Sequence, residues 1–454
     1  ERLNYPFCLI FTMKVIVVGG GAAGMSAASR VRKLLPQSEI KVFEESSYVS
    51  YAPCGIPYYV EDLVNDINAL VTYTPEFFKK ERNIDVHIKT KVTKVNLSAK
   101  ELTTVSDEGE KTESFDYLVL STGAIPFVPD KRWLEANHVY ALRHLEDGDA
   151  LKNDLKNLQN VAVIGGGYVG VEMAEALSKI GKKVTVFEMR RLMPNLDPEY
   201  SQIIKQEMEK RSIKVIEGFT VKAVENSGEK VRIVGDTEQP LFDAAVLGLG
   251  VRPNVELARS MGLKLGETGA IWVDDRMRTS EPSVYAAGDN VEVNDLVIKG
   301  RKRYAPFAPE ANKEGYIAGS NIGNQNIAFP GSAGSAITKF YDLEIGVVGI
   351  TEDEAKKYGI EAFPVKIRHN AKASYYPPQE EVYLKIVFDK KRRVPLGGQV
   401  VGKNVWGRLA YLSLAIENGI TVDRMFFSGV PYAPPFAPVW DSLIVASRIF
   451  YERV

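Results

Sequence analysis

The sequence contains few of the residues that form cross-links or bind metals. Its 454 residues include two cysteines and four histidines, too few for a disulfide scaffold and leaving little for a structural zinc site. We therefore predict no metal site. Neither sign of charge is in excess, because 57 Lys and Arg residues oppose 58 Asp and Glu residues, and nothing indicates a nucleic-acid partner.

Long hydrophobic runs are also missing. The longest apolar stretch near the N-terminus, residues 6–18, is interrupted by Thr12 and Lys14. It is too short to span a membrane, and it lacks the basic start and small-residue cleavage site of a signal peptide. We expect residues 1–12 to be an N-terminal extension ahead of Met13, and we expect a cytoplasmic, reducing environment in which cysteine acts as a thiol.

The remaining composition is typical of a folded globular protein. Hydrophobic residues make up 45% of the chain and charged residues 25%, which argues against disorder. At about 150 residues per domain, the length predicts about three domains.

A complete βαβ unit opens the sequence after the extension. An apolar strand over residues 14–18 leads into a glycine-rich turn over residues 19–24, and residues 25–35 follow as a helix. A second strand, residues 39–43, ends in Glu44. Glycines allow a tight turn near a pyrophosphate, the helix N-terminus faces its negative charge, and the acidic residue binds the ribose.

The same unit recurs later in the chain. A strand over residues 160–164 precedes the turn of residues 165–170, a helix to Ile180, and a strand that ends in Glu188. One such fingerprint is a weak signal, since glycine-rich turns occur in other α/β proteins, but two complete units are much stronger. They predict two bound dinucleotides and electron transfer between them.

Three further segments have the features of loops above a parallel sheet. Residues 117–124 form an apolar run ending in Thr-Gly-Ala, and residues 243–250 repeat this arrangement. Residues 283–289 place Asp289 directly after a strand and a glycine. Such loops lie at the carboxyl ends of strands, where cofactors bind.

The pattern changes after about residue 330. Residues 336–350 are rich in strand-forming residues, residues 382–388 alternate, and residues 407–418 have the pattern of one amphipathic helix. Residues 426–440 are aromatic and proline-rich, which favours an ordered loop. We predict an α/β protein with two Rossmann-like dinucleotide-binding domains and a C-terminal α+β domain.

Together these motifs resemble the pyridine nucleotide–disulfide oxidoreductase family over essentially the whole chain from Met13. The resemblance implies an FAD-binding domain over residues 13–123 and 251–330, an NAD(P)H-binding domain over residues 124–250, and a dimerisation domain over residues 331–454. It also implies a homodimer whose active sites are completed across the interface.

The resemblance assigns both cofactors to named residues. The expected FAD contacts are Gly19, Gly21, Ala22, Ala23, Gly24, Glu44, Glu45, Pro53, Val92, Thr122, Gly123, Ala124, Gly288, Asp289 and Ala308, with Asp289 on the ribityl chain. The expected NAD(P)H contacts are Gly165, Gly167, Tyr168, Val169, Gly170, Glu188, Arg190 and Gly250. Glu188 favours NADH by repelling a 2′-phosphate, whereas Arg190 and Arg191 offset that repulsion, and we expect both nucleotides to be used.

The single cysteine after the first unit indicates which branch of the family this sequence resembles. Well-known family members carry a Cys-x4-Cys pair after the first unit, whereas residues 50–58 contain only Cys54, and Cys8 lies in the extension. Cys54 can therefore cycle only through a sulfenic acid or a mixed disulfide with a small thiol. This resembles the single-cysteine branch, which contains coenzyme A-disulfide reductases, NADH oxidases and NADH peroxidases.

Two differences favour coenzyme A disulfide as the substrate. The oxidases and peroxidases usually carry a histidine in the first fingerprint, and residues 21–24 contain none. Tyr375 and Tyr432 lie in segments that resemble those of coenzyme A-disulfide reductases, whose tyrosines reach the partner's cysteine; Tyr375 fits better than Tyr376. The alternative for both tyrosines is aromatic packing at the dimer interface.

Coenzyme A carries phosphates, so its site requires cations. Arg30 and Lys33 lie three residues apart on one helix face, and the resemblance adds Ser26, Ser50 and Arg82. The alternative is that these basic side chains are solvated or complement the helix dipole. Polysulfide, free or linked to coenzyme A, remains open as a second substrate.

The expected chemistry centres on Cys54. A thiolate at neutral pH needs positive potential or a helix N-terminus, and Pro57 is compatible with a helix start beside Cys54. Tyr375 and Tyr432 would assist the departing coenzyme A thiolate. The competing functions are an NADH oxidase, an electron-transfer reductase for a small redox protein, and a nucleotide sensor without catalysis.

Overall fold

The computed structural model describes residues 12–454. Of the predicted extension over residues 1–12, all but Thr12 therefore lies outside the described residues, and so does Cys8. Every helix within residues 12–454 falls short of the length and apolar character that crossing a bilayer requires.

The elements follow one another along the chain in four stretches. The first contains β1 (Lys14–Val18), α1 (Ala22–Leu34), β2 (Glu39–Phe43), α2 (Ile56–Val60), α3 (Pro75–Arg82), β3 (Asp85–His87), β4 (Lys91–Asn96), β5 (Glu101–Ser106), β6 (Gly109–Ser114) and β7 (Tyr117–Leu120). The second contains β8 (Ala124–Pro126), β9 (Val139–Tyr140), α4 (Leu145–Asp154), β10 (Asn160–Ile164), α5 (Tyr168–Lys179), β11 (Lys183–Glu188), α6 (Pro198–Lys210), β12 (Lys214–Glu217), β13 (Ala223–Ser227), β14 (Lys230–Val234) and β15 (Ala244–Leu247). The third contains β16 (Val251–Pro253), α7 (Glu256–Ser260), β17 (Ile271–Trp272), β18 (Val284–Ala286), β19 (Val291–Asn294), β20 (Lys302–Arg303) and α8 (Ala308–Ile322). The fourth contains β21 (Ala336–Phe340), β22 (Leu343–Gly349), α9 (Glu352–Lys357), β23 (Ala362–Asn370), β24 (Glu381–Asp389), β25 (Val394–Gly402), α10 (Val405–Glu417), α11 (Val422–Phe426) and α12 (Ser442–Arg453), and short 3₁₀ turns occupy Pro53–Gly55, Ile67–Leu70 and Lys131–Glu135.

Two parallel sheets carry the two glycine-rich turns. The first has the strand order β18-β7-β1-β2-β3 and the second the order β12-β11-β10-β15-β9. In each sheet the strand before the turn lies between two parallel neighbours, with Val15 opposite Ile40 and Tyr117 in the first. Strands in this position are buried on both faces, which explains their continuous β-branched runs.

The chain leaves the first sheet and later returns to it. β18 pairs with β7 in parallel, although all five strands of the second sheet lie between them in sequence. The antiparallel pair of β8 and β16 marks where the chain departs and returns. This pairing supports a discontinuous first domain, and the boundaries given above stay a prediction.

The C-terminal domain contains an antiparallel sheet with the order β21-β22-β25-β24-β23. The alternating sequence of residues 382–388 lies in a strand, β24, but this strand is buried at most positions, and β25 is buried at all nine. One face packs against α10 and α12, while Ile345 and Val401 on the other side pack into the core of the second sheet. Both faces are therefore covered, and the side-chain alternation of a solvent-facing strand disappears.

A buried ion pair joins this sheet to the second one. Lys385 Nζ of β24 lies 2.5 Å from Asp197 Oδ2, directly before α6. Gln399 of β25 also donates to Asp197, at 2.9 Å. The nucleotide-binding sheet is thereby attached to the C-terminal domain at a defined orientation.

Candidate active site

The glycines of the first turn either fit where a side chain would clash or leave space beside the chain. Gly19 has φ +103°, which favours glycine, and a Cβ on Gly24 would lie 2.0 Å from the carbonyl oxygen of Gly19. A Cβ on Gly21, by contrast, would meet no protein atom within 4 Å. The space beside Gly21 is therefore available to a ligand such as a pyrophosphate at the N-terminus of α1.

The second turn repeats this arrangement. Gly165 has φ +107°, and a Cβ on Gly170 would lie 1.9 Å from the carbonyl oxygen of Gly165. Gly167 faces open space as Gly21 does. Tyr168 and Val169 begin α5, and Gly250, with φ +93°, follows β15 beside the turn.

Each turn is tied to the acidic residue that ends the next strand. Glu44 accepts hydrogen bonds from the backbone N–H groups of Gly20 and Ser46, at 2.7 and 2.8 Å. Glu188 accepts from Gly166 and Arg190 at the same two distances. Each carboxylate is thus fixed beside its turn, where a ribose diol would lie.

A cleft of about 1010 Å³ opens above the first turn. Every predicted FAD residue except Gly24 lines it, and Gly24 supports the turn from below. Cys54 and Ser50 line the same cleft. The fold therefore brings the first fingerprint, the Thr-Gly-Ala turn, Asp289 and the lone cysteine together around one space.

Cys54 is the only cysteine among residues 12–454, and it is exposed to the cleft. It lies in a 3₁₀ turn, and α2 begins two residues later with Pro57 in its first turn. The thiol pKa nevertheless differs from our expectation. The surrounding protein raises the pKa of Cys54 by withdrawing it from bulk water, Glu172 and Asp289 add to the increase, and only Arg143 and a backbone hydrogen bond oppose it.

Three residues around the cleft were missed by the sequence analysis. Arg143 lines the cleft from the loop after β9. Glu172 of α5 is half-buried, burial raises its pKa, and it accepts a hydrogen bond from Thr338 at 2.6 Å. The Tyr304 hydroxyl donates to the backbone carbonyl of Asp289 at 2.9 Å. Only Glu172 offered a signal, as an acidic residue on the helix that follows the second fingerprint.

Burial also acts on Asp289 itself. Withdrawal from water raises the pKa of its carboxyl, Glu310 adds to this effect, and Arg143 opposes it. Arg143 therefore supplies positive potential to both Asp289 and Cys54.

The predicted coenzyme A cations lie along α1. Arg30 donates to the Ser320 hydroxyl of α8 at 2.8 Å, and Arg82 donates to the Ser29 hydroxyl at 2.6 Å from the opposite side. Lys33 is exposed. Within residues 12–454 no carboxylate lies within 4 Å of any of these three cations, so their charges remain available to an anion.

The two predicted serines lie at different places along this helix. Ser50 lines the cleft of Cys54. Ser26 donates to the Asn312 carbonyl at 2.8 Å and lines a neighbouring cavity of about 530 Å³, which shares Asn312 with the cleft.

Tyr375 and Tyr432 come together in the C-terminal domain but away from their own cysteine. Their hydroxyl oxygens lie 3.3 Å apart, and neither residue lines the cleft of Cys54. Tyr375 is 71% exposed and Tyr432 45%. The pair is therefore accessible from outside its own chain.

The two arginines after Glu188 differ in their surroundings. Arg191 donates to the Leu196 carbonyl at 2.8 Å and is held against the protein. The guanidinium of Arg190 makes no hydrogen bond or ion pair with residues 12–454. Arg190 is thus the cation that a 2′-phosphate beside Glu188 would meet.

The comparison with known families agrees with this geometry. Residues 13–315 match the pyridine nucleotide-disulphide oxidoreductase family, and residues 335–443 match the dimerisation domain of that family. The chain therefore belongs to the pyridine nucleotide-disulphide oxidoreductases. The predicted family, the fold class and the assignment as an enzyme that uses FAD and NAD(P)H are confirmed at this level.

Individual relatives cover nearly the whole chain. The NAD(P)H coenzyme A polysulfide/persulfide reductase of Pyrococcus horikoshii is 41% identical over 96% of this chain and 98% of its own. An NADH oxidase of Methanocaldococcus jannaschii is 35% identical over 96% and 98%. A coenzyme A disulfide reductase of Staphylococcus aureus is 32% identical over 93% and 96%.

A solved structure shows the same architecture. The NAD-dependent persulfide reductase from A. fulgidus superposes with a TM-score of 0.93 at 38% identity, covering 97% of this chain and 83% of that one.

Proposed function

We propose that this protein is an FAD-dependent NAD(P)H:disulfide oxidoreductase that reduces coenzyme A disulfide through a mixed disulfide on Cys54. The observation that carries the proposal is the position of a lone cysteine in the cleft lined by the FAD fingerprint. Two relatives named for coenzyme A chemistry support the choice of thiol.

The reaction balances as one coenzyme A disulfide, one NAD(P)H and one proton giving two coenzyme A thiols and NAD(P)⁺. Bound FAD would accept a hydride from NAD(P)H and pass the electron pair on to sulfur. The Cys54 thiolate would attack one sulfur of the substrate, form a Cys54–coenzyme A disulfide and release the other half as a thiolate. Reduction of that mixed disulfide releases the second coenzyme A and restores Cys54.

The raised thiol pKa is consistent with a resting enzyme that holds the mixed disulfide. A free Cys54 thiolate is disfavoured beside Glu172 and Asp289, whereas a disulfide sulfur carries no charge to be repelled. Arg143 lies where it would stabilise the thiolate once that forms. A reducing compartment would keep the product thiols reduced, which favours the cytoplasm.

The substrate phosphates would be bound by Arg30, Lys33 and Arg82. These side chains lie along α1 without acidic partners among the described residues, and guanidinium groups suit phosphate oxygens. Ser26 and Ser50 would contribute hydroxyl contacts along the same path.

We propose that the active form is a homodimer in which Tyr375 and Tyr432 reach the partner's site. The C-terminal domain exposes large apolar side chains that a partner would cover, among them Trp406, Phe427 and Phe436, each about 70% exposed. A tyrosine hydroxyl beside the departing coenzyme A thiolate would donate a hydrogen bond to it.

Polysulfide is the second candidate substrate. Cys54 is open to the cleft, so a chain of sulfur atoms linked to coenzyme A could reach it. The relatives named polysulfide/persulfide reductase and persulfide reductase favour polysulfide as a substrate.

Oxygen is a further candidate acceptor, since one relative is named an NADH oxidase. Comparing oxygen uptake with thiol release on adding coenzyme A disulfide distinguishes an oxidase from a disulfide reductase.

The decisive test replaces the sulfur. Cys54→Ser should keep FAD but lose at least about 1,000-fold in turnover of coenzyme A disulfide, because no mixed disulfide can form. Cys8→Ser is the matched control and should keep full turnover. Intact mass should show one reductant-sensitive coenzyme A adduct on the wild type and none on Cys54→Ser. Persistent turnover in Cys54→Ser would contradict the proposal.

A further inference from the structure

An aromatic cluster at the start of α3 presents one ring to the cleft of Cys54. Tyr73 stacks on Phe77 with ring centroids 4.4 Å apart and an interplanar angle of 16°. It also meets the edge of Phe78, which is only 1% exposed and anchors the cluster in the core. Tyr73 itself is 37% exposed and lines the cleft. Its ring is therefore packed against the cluster and partly exposed to the cleft.

Arg82 is packed against the same cluster. Its guanidinium carbon lies 5.1 to 5.4 Å from the centroids of all three rings. Cation–π contact and the bond to Ser29 fix its position without an acidic partner within the described residues. The cluster thus places an apolar ring next to an unpaired cation.

The backbone shows how this cluster is connected to the cysteine. Thr72 donates to the Ser50 carbonyl at 2.8 Å, and Ala52 donates to the Leu70 carbonyl at 2.9 Å. The two segments run antiparallel, with Tyr51 opposite Val71. A path that leaves Cys54 along this wall of the cleft passes Ala52 and Ser50 and then reaches Tyr73, against which Arg82 packs.

We propose that Tyr73 packs against the pantetheine arm of coenzyme A and determines the preference of the site for this thiol. The inference rests on the proposed function. With the substrate sulfur at Cys54 and its phosphates at Arg82, the arm that joins them must pass the ring between. A fixed flat ring provides apolar contact with the arm at little entropic cost, and a thiol without the arm gains nothing from it.

Three disulfide substrates distinguish the contribution of the pantetheine arm to kcat/KM from that of the phosphates. Coenzyme A disulfide has both the arm and the phosphates, pantethine has the arm alone, and 2-hydroxyethyl disulfide has neither. Tyr73→Ala should lower kcat/KM for the first two, relative to the third, by about tenfold, the loss expected for removing one ring from contact. Arg82→Ala should lower only the value for coenzyme A disulfide. Tyr73→Phe should retain the wild-type ratios, because the ring remains.

Tyr358→Ala is the matched control, since that tyrosine is 41% exposed and packs under Arg301 at 5.2 Å, outside the cleft lining. Tyr358→Ala should leave the relative kcat/KM values for the three disulfides unchanged. If Tyr73→Ala does not retain FAD, Tyr73→Leu is used in its place, and its relative kcat/KM values should change in the same direction. Unchanged ratios in the Tyr73 variant would overturn this inference, whereas a wild type that reduces none of the three disulfides would overturn the proposed function.

Discussion

The carboxylates around the two nucleotide sites fall into two groups. Glu44 and Glu188 accept two backbone hydrogen bonds each, and their carboxylate oxygens keep lone pairs for a ribose. Glu314 of α8 is only 2% exposed and accepts one hydrogen bond, from the N–H of Gly288 at 2.7 Å. Burial raises the pKa of Glu314 to about 8, and Asp289 and Glu310 contribute to the increase. A neutral carboxyl therefore lies behind the loop that carries Asp289.

The raised pKa of Glu314 predicts that it destabilises the protein as the pH rises. The unfolded chain releases this proton near pH 4.5 and the folded chain near pH 8, so between these values the folded state binds more protons and stability falls with pH. Glu314→Gln keeps an acceptor for Gly288 but cannot ionise. Its melting temperature, measured with excess FAD, should therefore rise relative to the wild type between pH 5 and pH 8.

The expected difference is several kcal/mol at pH 8, at about 1.4 kcal/mol per pH unit of the window. Glu209→Gln removes an exposed carboxylate of α6 and should follow the wild type at every pH. A constant difference between Glu314→Gln and the wild type would show that Glu314 ionises normally in the folded protein.

The surroundings of Arg190 predict its role in nucleotide choice. A charge-assisted contact with the 2′-phosphate of NADPH is worth roughly 1.5 to 3 kcal/mol, so Arg190→Ala should raise KM for NADPH by at least about tenfold. KM for NADH should change little, because NADH lacks that phosphate. Arg191→Ala is the comparison, since its guanidinium is bound to backbone carbonyls. Equal effects on both nucleotides would contradict the assignment.

Site residues that belong to a short sequence motif could be predicted from the sequence. Site residues that reach the cleft only through tertiary packing could not. Gly19, Glu44 and Asp289 belong to short motifs whose spacing is set by one turn and two strands. Arg143 comes from a loop with no motif, and only the packing of that loop over the first sheet brings its charge to Cys54. The pKa of the Cys54 thiol was mispredicted because burial raises it, and because Glu172 and Asp289, both distant in sequence, add to the increase.

At the scale of elements, the two βαβ units were predicted to within a few residues. The first helix begins at Ala22 rather than at Met25, because the turn closes directly onto it. The strand β24 has the alternating sequence noted above, but its burial does not alternate, because Lys385 is buried by pairing with Asp197. A hydrophobicity pattern cannot distinguish a solvated lysine from one that bonds across a domain contact.

The open space beside Gly167 leads to a prediction for the second turn. Gly167→Ala places a methyl group where the pyrophosphate of NAD(P)H would approach, while touching no protein atom within 4 Å. The fold and the bound FAD should be retained, and KM for NADH should rise by at least about tenfold. Gly407→Ala in α10 also fills open space and should leave KM unchanged. An unaltered KM in Gly167→Ala would show that the dinucleotide does not pass this turn.

At the scale of the whole molecule, the C-terminal sheet is held between its own helices and the second nucleotide-binding sheet. One face of the sheet is covered by the nearby helices α10 and α12. The other face is covered where residues such as Ile345 and Val401 pack against the second sheet, which is distant in sequence. The sequence predicted a separate α+β domain but not this second contact, because nothing in a strand specifies which distant surface covers it. Tyr375, between β23 and β24, and Tyr432, between α11 and α12, lie in connections of this domain.

The exposure of Tyr375 and Tyr432 outside the cleft of Cys54 allows a test of the proposed shared active sites. If each site combines Cys54 of one chain with the tyrosines of its partner, a mixed dimer of Cys54→Ser and Tyr375→Phe/Tyr432→Phe chains contains one intact site. Each homodimer contains none, so mixing the two inactive proteins under conditions of subunit exchange should restore activity, to about a quarter of the wild type for random pairing in a symmetric dimer. Mixing Cys54→Ser with Cys54→Ala is the control and should restore nothing. Sites built within one chain would leave every site of the mixed dimer defective, and an inactive mixture whose mixed dimers are verified by mass would exclude the shared arrangement.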